Sequence, residues 1–265
     1  MWRQALRLLW RFSVVSFQNS SAFRLDFLTS IAHNLIYQGI FITFWLSVMN
    51  HRTGPLGQWS FPELSILTAF TLVATALMQW SMGLVQLPAK ILRGDLDKYL
   101  CRPVSPLFAL LVEEVNALTS AYQLASALLL LGSICVYYQI PVTIGAAAAS
   151  FGLLLIGSTI VLLIQACVGL LSFWYGEVSR LNTMLMLSRE FERYPLDLFP
   201  LWLQSTLTWI MPIGLISTYP VLVLLNKAEN FPLYLAIGLM LLAAWVLIFR
   251  RMWARALRRY ESFGG

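Results

Sequence analysis

Residues 144–172 form one continuous stretch without a single Asp, Glu, Lys, Arg or His. At about 1.5 Å per helical residue this run is longer than the ~30 Å hydrocarbon core of a bilayer. In water it would need covering on every side. A chain of 265 residues that is 59% hydrophobic and only 11% charged has too little polar surface to spare for that, since ordinary soluble domains carry about 25% charged residues. A soluble enzyme, a disordered chain and a secreted disulfide scaffold are excluded on this ground. What remains is an all-α integral membrane protein that crosses the bilayer several times.

Four more stretches read as spans: 27–49, 64–85, 115–138 and 231–249. The run over 144–172 exceeds the hydrocarbon thickness and is expected to tilt or protrude. Between Arg180 and Lys227 two arrangements compete. In the first, 177–193 is a short fifth span and 196–225 dips into the outer leaflet and returns. In the second, 173–198 lies on the inner surface and 201–225 is one proline-kinked span. Pro200, Pro212, Gly214 and Pro220 favour the first, because each interrupts backbone pairing that a lipid-facing helix must complete. Both arrangements give six crossings and one domain, with no internal repeat and no dividing linker.

Six crossings place both termini on one side, together with 88–106. That side then holds fourteen of the eighteen Lys and Arg residues, leaving out Arg52, Arg189, Arg193 and Lys227. The positive-inside rule makes it the cytoplasmic side, and the net charge of +6 is read as a topology signal rather than as a nucleic-acid surface. Arg3, Arg7 and Arg11 recur every four residues, with Trp2, Leu6, Leu9 and Phe17 on the neighbouring face. This predicts an amphipathic interfacial helix over 1–20, the plainer reading being a basic tail, and it argues against a cleavable signal peptide. The cysteines Cys101, Cys135 and Cys167 have no metal-site spacing.

The chain lacks the nucleotide-cradling G-x-x-x-x-G-K-[ST], the H-E-x-x-H, the C-x-x-C and the G-x-S-x-G patterns. No catalytic residue, metal or cofactor is expected in it. Two regions hold its ionisable groups. The run Gly94-Asp95-Leu96-Asp97-Lys98-Tyr99-Leu100-Cys101-Arg102-Pro103-Val104-Ser105-Pro106 is a mixed-charge, proline-framed knob between two spans. It suits docking to a soluble partner, or it is only a solvated turn. The run Arg189-Glu190-Phe191-Glu192-Arg193-Tyr194-Pro195-Leu196-Asp197 puts Glu190 and Arg193 three apart, close enough to pair. It reads as an outer gate or polar lining, or as an interfacial salt-bridge network where a helix leaves the bilayer. Carboxylates at span ends argue against an ion-gradient transporter or channel, which needs them at the midplane.

The order of these parts resembles the permease subunits of type-2 ABC transporters, an exporter class, and within it a bacterial subgroup. The resemblance rests on G-x-L-D-x-x-L-x-R-P-x-S-P at 94–106, Y-P-L-D-x-x-P at 194–200 and P-I-G-x-I-S-T-Y-P at 212–220. It implies that Gly94, Asp95, Leu96, Asp97, Arg102, Pro103 and Pro106 form a coupling region that contacts an ATPase. It also implies that Tyr194, Pro195, Pro200, Pro212 and Pro220 belong to a re-entrant element closing the path on the outer side. The interfacial helix would approach the ATPase as well. ATP and Mg would sit on partner ATPase subunits. A second permease, often a different chain but also an identical copy, would complete the path in the bacterial inner membrane. The alternatives are an ion-gradient-driven transporter or channel, and an integral-membrane transferase using 189–197 as its acid/base site.

Overall fold

A helix satisfies its own backbone, so apolar runs of this length have only their packing left to decide. The computed structural model of the chain describes residues 24–51, 56–79, 82–101, 106–113, 117–228 and 230–259. The amphipathic helix expected over 1–20, with Arg3, Arg7 and Arg11, lies outside them. The long helices are α1 (Arg24–Asn50) and α2 (Phe61–Met78). The short α3 (Met82–Val85), α4 (Leu87–Leu92), α5 (Asp97–Leu100) and α6 (Pro106–Glu113) follow. Then come α7 (Ala117–Tyr137), α8 (Ile144–Leu170), α9 (Ser172–Tyr175) and α10 (Ser179–Ser188). The chain closes with α11 (Leu201–Trp209), α12 (Thr218–Leu224) and α13 (Phe231–Arg259), with 3-10 turns at Arg189–Arg193, Leu196–Leu198 and Ile213–Leu215.

Among the described residues, five helices are long and apolar enough to cross a membrane: Phe27–Asn50, Phe61–Met78, Leu118–Tyr137, Ile144–Tyr175 and Phe231–Arg259. A sixth candidate is the bent pair Leu201–Trp209 and Ile213–Leu224, whose halves meet at 71°. The helix after Ser179 is only ten residues long and tightens into a 3-10 turn at Arg189. Helix α13 does not stop at residue 249 but continues unbroken to Arg259, carrying its arginines on its last turns. That end is favoured for cations by the helix dipole.

The start of α2 follows from local chemistry. Pro62 occupies the first turn, where its missing N–H costs nothing, and the Glu63 carboxylate accepts the Ser60 N–H at 2.9 Å. Helices α2 and α8 form the centre, with 72% and 67% of their most apolar windows buried, against 17% for α1 and 6% for α13. Phe70 of α2 stacks on Phe151 of α8 at 5.4 Å between ring centroids. Hydroxyls inside the bundle turn back on their own helices, as Thr68 does on the Leu64 carbonyl and Ser150 on the Ala146 carbonyl. Across helices, the Asn34 and Gln38 amides of α1 both donate to Ser126 Oγ of α7, at 2.8 and 2.9 Å. Such polar bridges are a principal glue between helices in lipid, worth about 0.6 kcal/mol each.

Candidate functional site

Three regions carry the polar chemistry of the described residues: a knob at one end of α2, a broken segment at its other end, and a charged cavity between them. The knob begins directly after α3. Helix α4 ends in a paired carbonyl cap: Gly94 N–H donates to the Ile91 carbonyl and Asp95 N–H to the Lys90 carbonyl. This geometry needs a left-handed residue, and Gly94 supplies it at φ +73°. Leu96 and Tyr99 are fully buried. Lys90, read from sequence as one of the charged loop residues, is itself buried and donates to Tyr99 Oη at 2.9 Å. Lys98 lies over the other side of the same ring, 5.0 Å from its centroid. Asp97 opens α5 and Pro106 opens α6, while Arg102 and Pro103 lie outside the described residues. Pro88 packs against Gly169, near the end of α8, so the knob rests on the bundle rather than hanging from it.

The broken segment is tied at both ends to the start of α2. The Trp59 indole N–H donates to the Asp197 carboxylate at 2.8 Å, and Lys227 Nζ lies 2.6 Å from Glu63 Oε1. Between these ties the chain goes inward and comes back. Pro195 is buried, Pro200 precedes α11, Pro212 precedes the turn, and Pro220 is buried within α12. Residues 211–218, the irregular middle, are buried throughout. Their tip, Leu215, lies so close to α8 that a Cβ at Gly157 would sit 2.8 Å from the Leu215 carbonyl carbon. Tyr194 packs edge-on against Phe44, Trp45 and Phe199.

The third region holds the run 189–197, read from sequence either as an outer gate or polar lining or as an interfacial network at a helix end. Glu190 and Glu192 line a cavity beside α2. Arg189 Nε bonds Glu192 Oε1 at 3.0 Å, and Arg193 pairs with Glu190. The Arg193 guanidinium stands 4.9 Å from the Tyr37 ring centroid and 4.8 Å from that of Phe41. Together with Thr71 and Thr75 of α2, all four charged residues line a cavity of about 300 Å³. By helix rise Thr71 and Thr75 lie about 15 and 21 Å from the start of α2. A ten-residue helix followed by a 3-10 turn is too short to carry the cluster to the end of the bundle.

Sequence reasoning also missed Gln165 and Tyr37 in this cavity, and Asn182 bonded to Gln165, because single polar residues in apolar runs carry no motif. Gln165 Nε2 donates to Asn182 Oδ1 at 3.2 Å, and Asn182 Nδ2 to the Val85 carbonyl at 3.4 Å. Among the described residues no group of His, Cys, Asp and Glu is placed to hold a metal ion. Cys167 is buried in the core and Cys135 packs at its edge, while Cys101 is exposed on the knob.

No curated protein and no solved structure matches the chain. A family model described as ABC-2 family transporter protein matches residues 35–264.

Proposed function

Because the chain belongs to the ABC-2 family of transporter proteins and is therefore a multi-pass membrane component of a transporter, we propose that it is the permease of an ATP-driven exporter in a bacterial inner membrane, with both termini cytoplasmic. Members of this family work with ABC ATPase subunits. Such a subunit would dock on the knob around Gly94–Asp97, Arg102, Pro103 and Pro106, and the amphipathic helix expected over 1–20 would approach it as well. A second permease, identical or different, would complete the path.

The observation that carries this reading is mechanical. The knob is internally braced by Tyr99 and Lys90 and packs on α8 at Gly169, while the broken segment is bound to the far end of α2 and to α8 at Gly157. A push on the knob therefore reaches the broken segment through two helices buried along most of their length. Both ties of that segment are at the same end of α2, which supports a re-entrant element rather than a sixth straight crossing. Its irregular backbone is enclosed in protein, the condition under which such backbone is tolerated at membrane depth.

Purification from native membranes tests the partner. An ABC ATPase should co-purify, and Asp97→Lys should leave the chain in the membrane while lowering coupled ATPase activity several-fold. Unchanged coupling would count against docking at the knob. The ion-gradient reading gains one observation, the carboxylates of Glu190 and Glu192 beside mid-α2. It predicts uptake into proteoliposomes under an imposed proton gradient with no ATPase present.

A further inference from the structure

We propose that the cavity between α1, α2, α8 and residues 186–193 binds a net-neutral zwitterionic head, a phosphate joined to a primary ammonium, carried on an apolar body. The proposal depends on the transport reading only for its meaning as a cargo site. The binding itself needs no ATPase.

The charges of the cavity sum to zero, two arginines against two glutamates. A ligand with one net charge would leave that charge uncompensated among the paired charges of the cavity, whereas a zwitterion exchanges internal pairs for external ones. The two pairs differ in access. Glu192 is 4% exposed and closed off by Arg189, while Glu190 is 51% and Arg193 28% exposed. The open pair is the one a ligand can enter: its phosphate on Arg193, whose fork of donors suits it, and its ammonium on Glu190.

A second, independent observation points to a donor on the ligand. Gln165 is buried and its Oε1 has no hydrogen-bond partner. Its orientation is fixed in sequence: Asn182 gives its amide N–H to the Val85 carbonyl, so its oxygen faces Gln165 Nε2, and Gln165 Oε1 is left over. Gln165 lines the same cavity. An orphaned buried acceptor is costly, and an ammonium N–H satisfies it. The remaining wall is apolar, with Leu72, Met78, Leu162 and Met186, and it accommodates the chain that such a head is attached to.

The test uses the full-length chain in maltoside micelles, with native mass spectrometry of added dioctanoyl lipids. Their heads are phosphoethanolamine, phosphocholine, phosphoglycerol or none. The phosphoethanolamine lipid should bind saturably, one per chain, and about tenfold more tightly than the phosphoglycerol lipid, the worth of one charge-assisted bond. Phosphocholine, with no N–H to give, should fall between them, and Gln165→Leu should close the gap between those two heads. Glu190→Gln should turn the preference toward phosphoglycerol, and Arg193→Gln should weaken every phosphate head. Leu162→Trp, which fills the cavity with all charges in place, should abolish saturable binding. Equal binding of all four heads, binding that does not saturate, or binding that survives Leu162→Trp would overturn the proposal. If a charge variant fails to fold, the four-head comparison on the unaltered chain and Leu162→Trp still decide. Failure of an ATPase to co-purify would remove the exporter reading and leave this result standing.

Discussion

The knob after α3 and the broken segment after residue 194 are both short helices interrupted by prolines and glycines, and both rest on α8. Yet they are built differently. The knob is braced by the glycine cap at Gly94 and the Lys90–Tyr99 bond, and it packs on α8 through side chains: the Pro88 ring lies at Gly169, and Leu87, Ile91, Leu96 and Tyr99 share an apolar cluster with Ala166, Cys167 and Leu170. The broken segment has internal bonds of its own, such as Leu196 N–H to Thr218 Oγ1, and is also fastened at separate points from without, by the Trp59–Asp197 and Glu63–Lys227 ties and by backbone contact at Gly157. A unit braced internally can move as one piece. A unit fastened at separate points can be released point by point. On the proposed function, the difference suits the knob to the part of a lever and the broken segment to that of a closure.

The glycine pair offers the sharpest way to break this contrast. Gly157→Ala drives a Cβ to 2.8 Å from Leu215 backbone, where nothing can yield cheaply. We expect a loss of about 3 kcal/mol, the upper range for overpacking, read as a lower thermal midpoint of the detergent-purified chain. Gly169→Ala meets a proline ring carbon at 3.3 Å, and the ring can give. The gain in helix propensity of about 1 kcal/mol should then leave stability almost unchanged. Equal effects at both sites would erase the distinction.

Next in size, Tyr99→Phe removes one hydrogen bond of buried Lys90. It should cost about 2 kcal/mol, the worth of a hydrogen bond to a charged group. The accompanying change should be faster proteolysis confined to the knob. The smallest effect is expected at Glu63–Lys227. Lys227 is 40% exposed, so Lys227→Ala should cost under about 1 kcal/mol. Lys227→Arg should keep most of the stability, because the interaction at that end is a tie between side chains that another cation can make. A Lys227→Arg chain no better than Lys227→Ala would show that the tie is incidental.

Apolar runs such as 144–172 gave their helices away because charge is absent over their whole length, and the prolines at 200, 212 and 220 announced an interrupted path. The pairing of Glu190 with Arg193 was also legible, since residues three apart share a face. What could not be read is where those charges sit, because depth depends on how far α10 travels before it tightens at Arg189. Nothing in the sequence marks Lys90 as buried, because its partner Tyr99 becomes its neighbour only once α4 is capped. Trp59 and Asp197 are 138 residues apart. Trp45, Trp59 and Tyr99 are buried in protein, which no local pattern around them announces. Gly157 is one of several glycines in an apolar run, and only the arrival of Leu215 gives it a role.

The account as a whole stands on the knob facing the compartment where ATP is hydrolysed, and a native thiol reports on that. Cys101 is exposed at the end of α5, Cys135 is half-buried and Cys167 is buried. In a chain with Cys135→Ala and Cys167→Ala, a membrane-impermeant maleimide should label Cys101 in inside-out vesicles and leave it unlabelled in intact cells. Labelling of Cys101 in intact cells would place the knob outside and contradict the account.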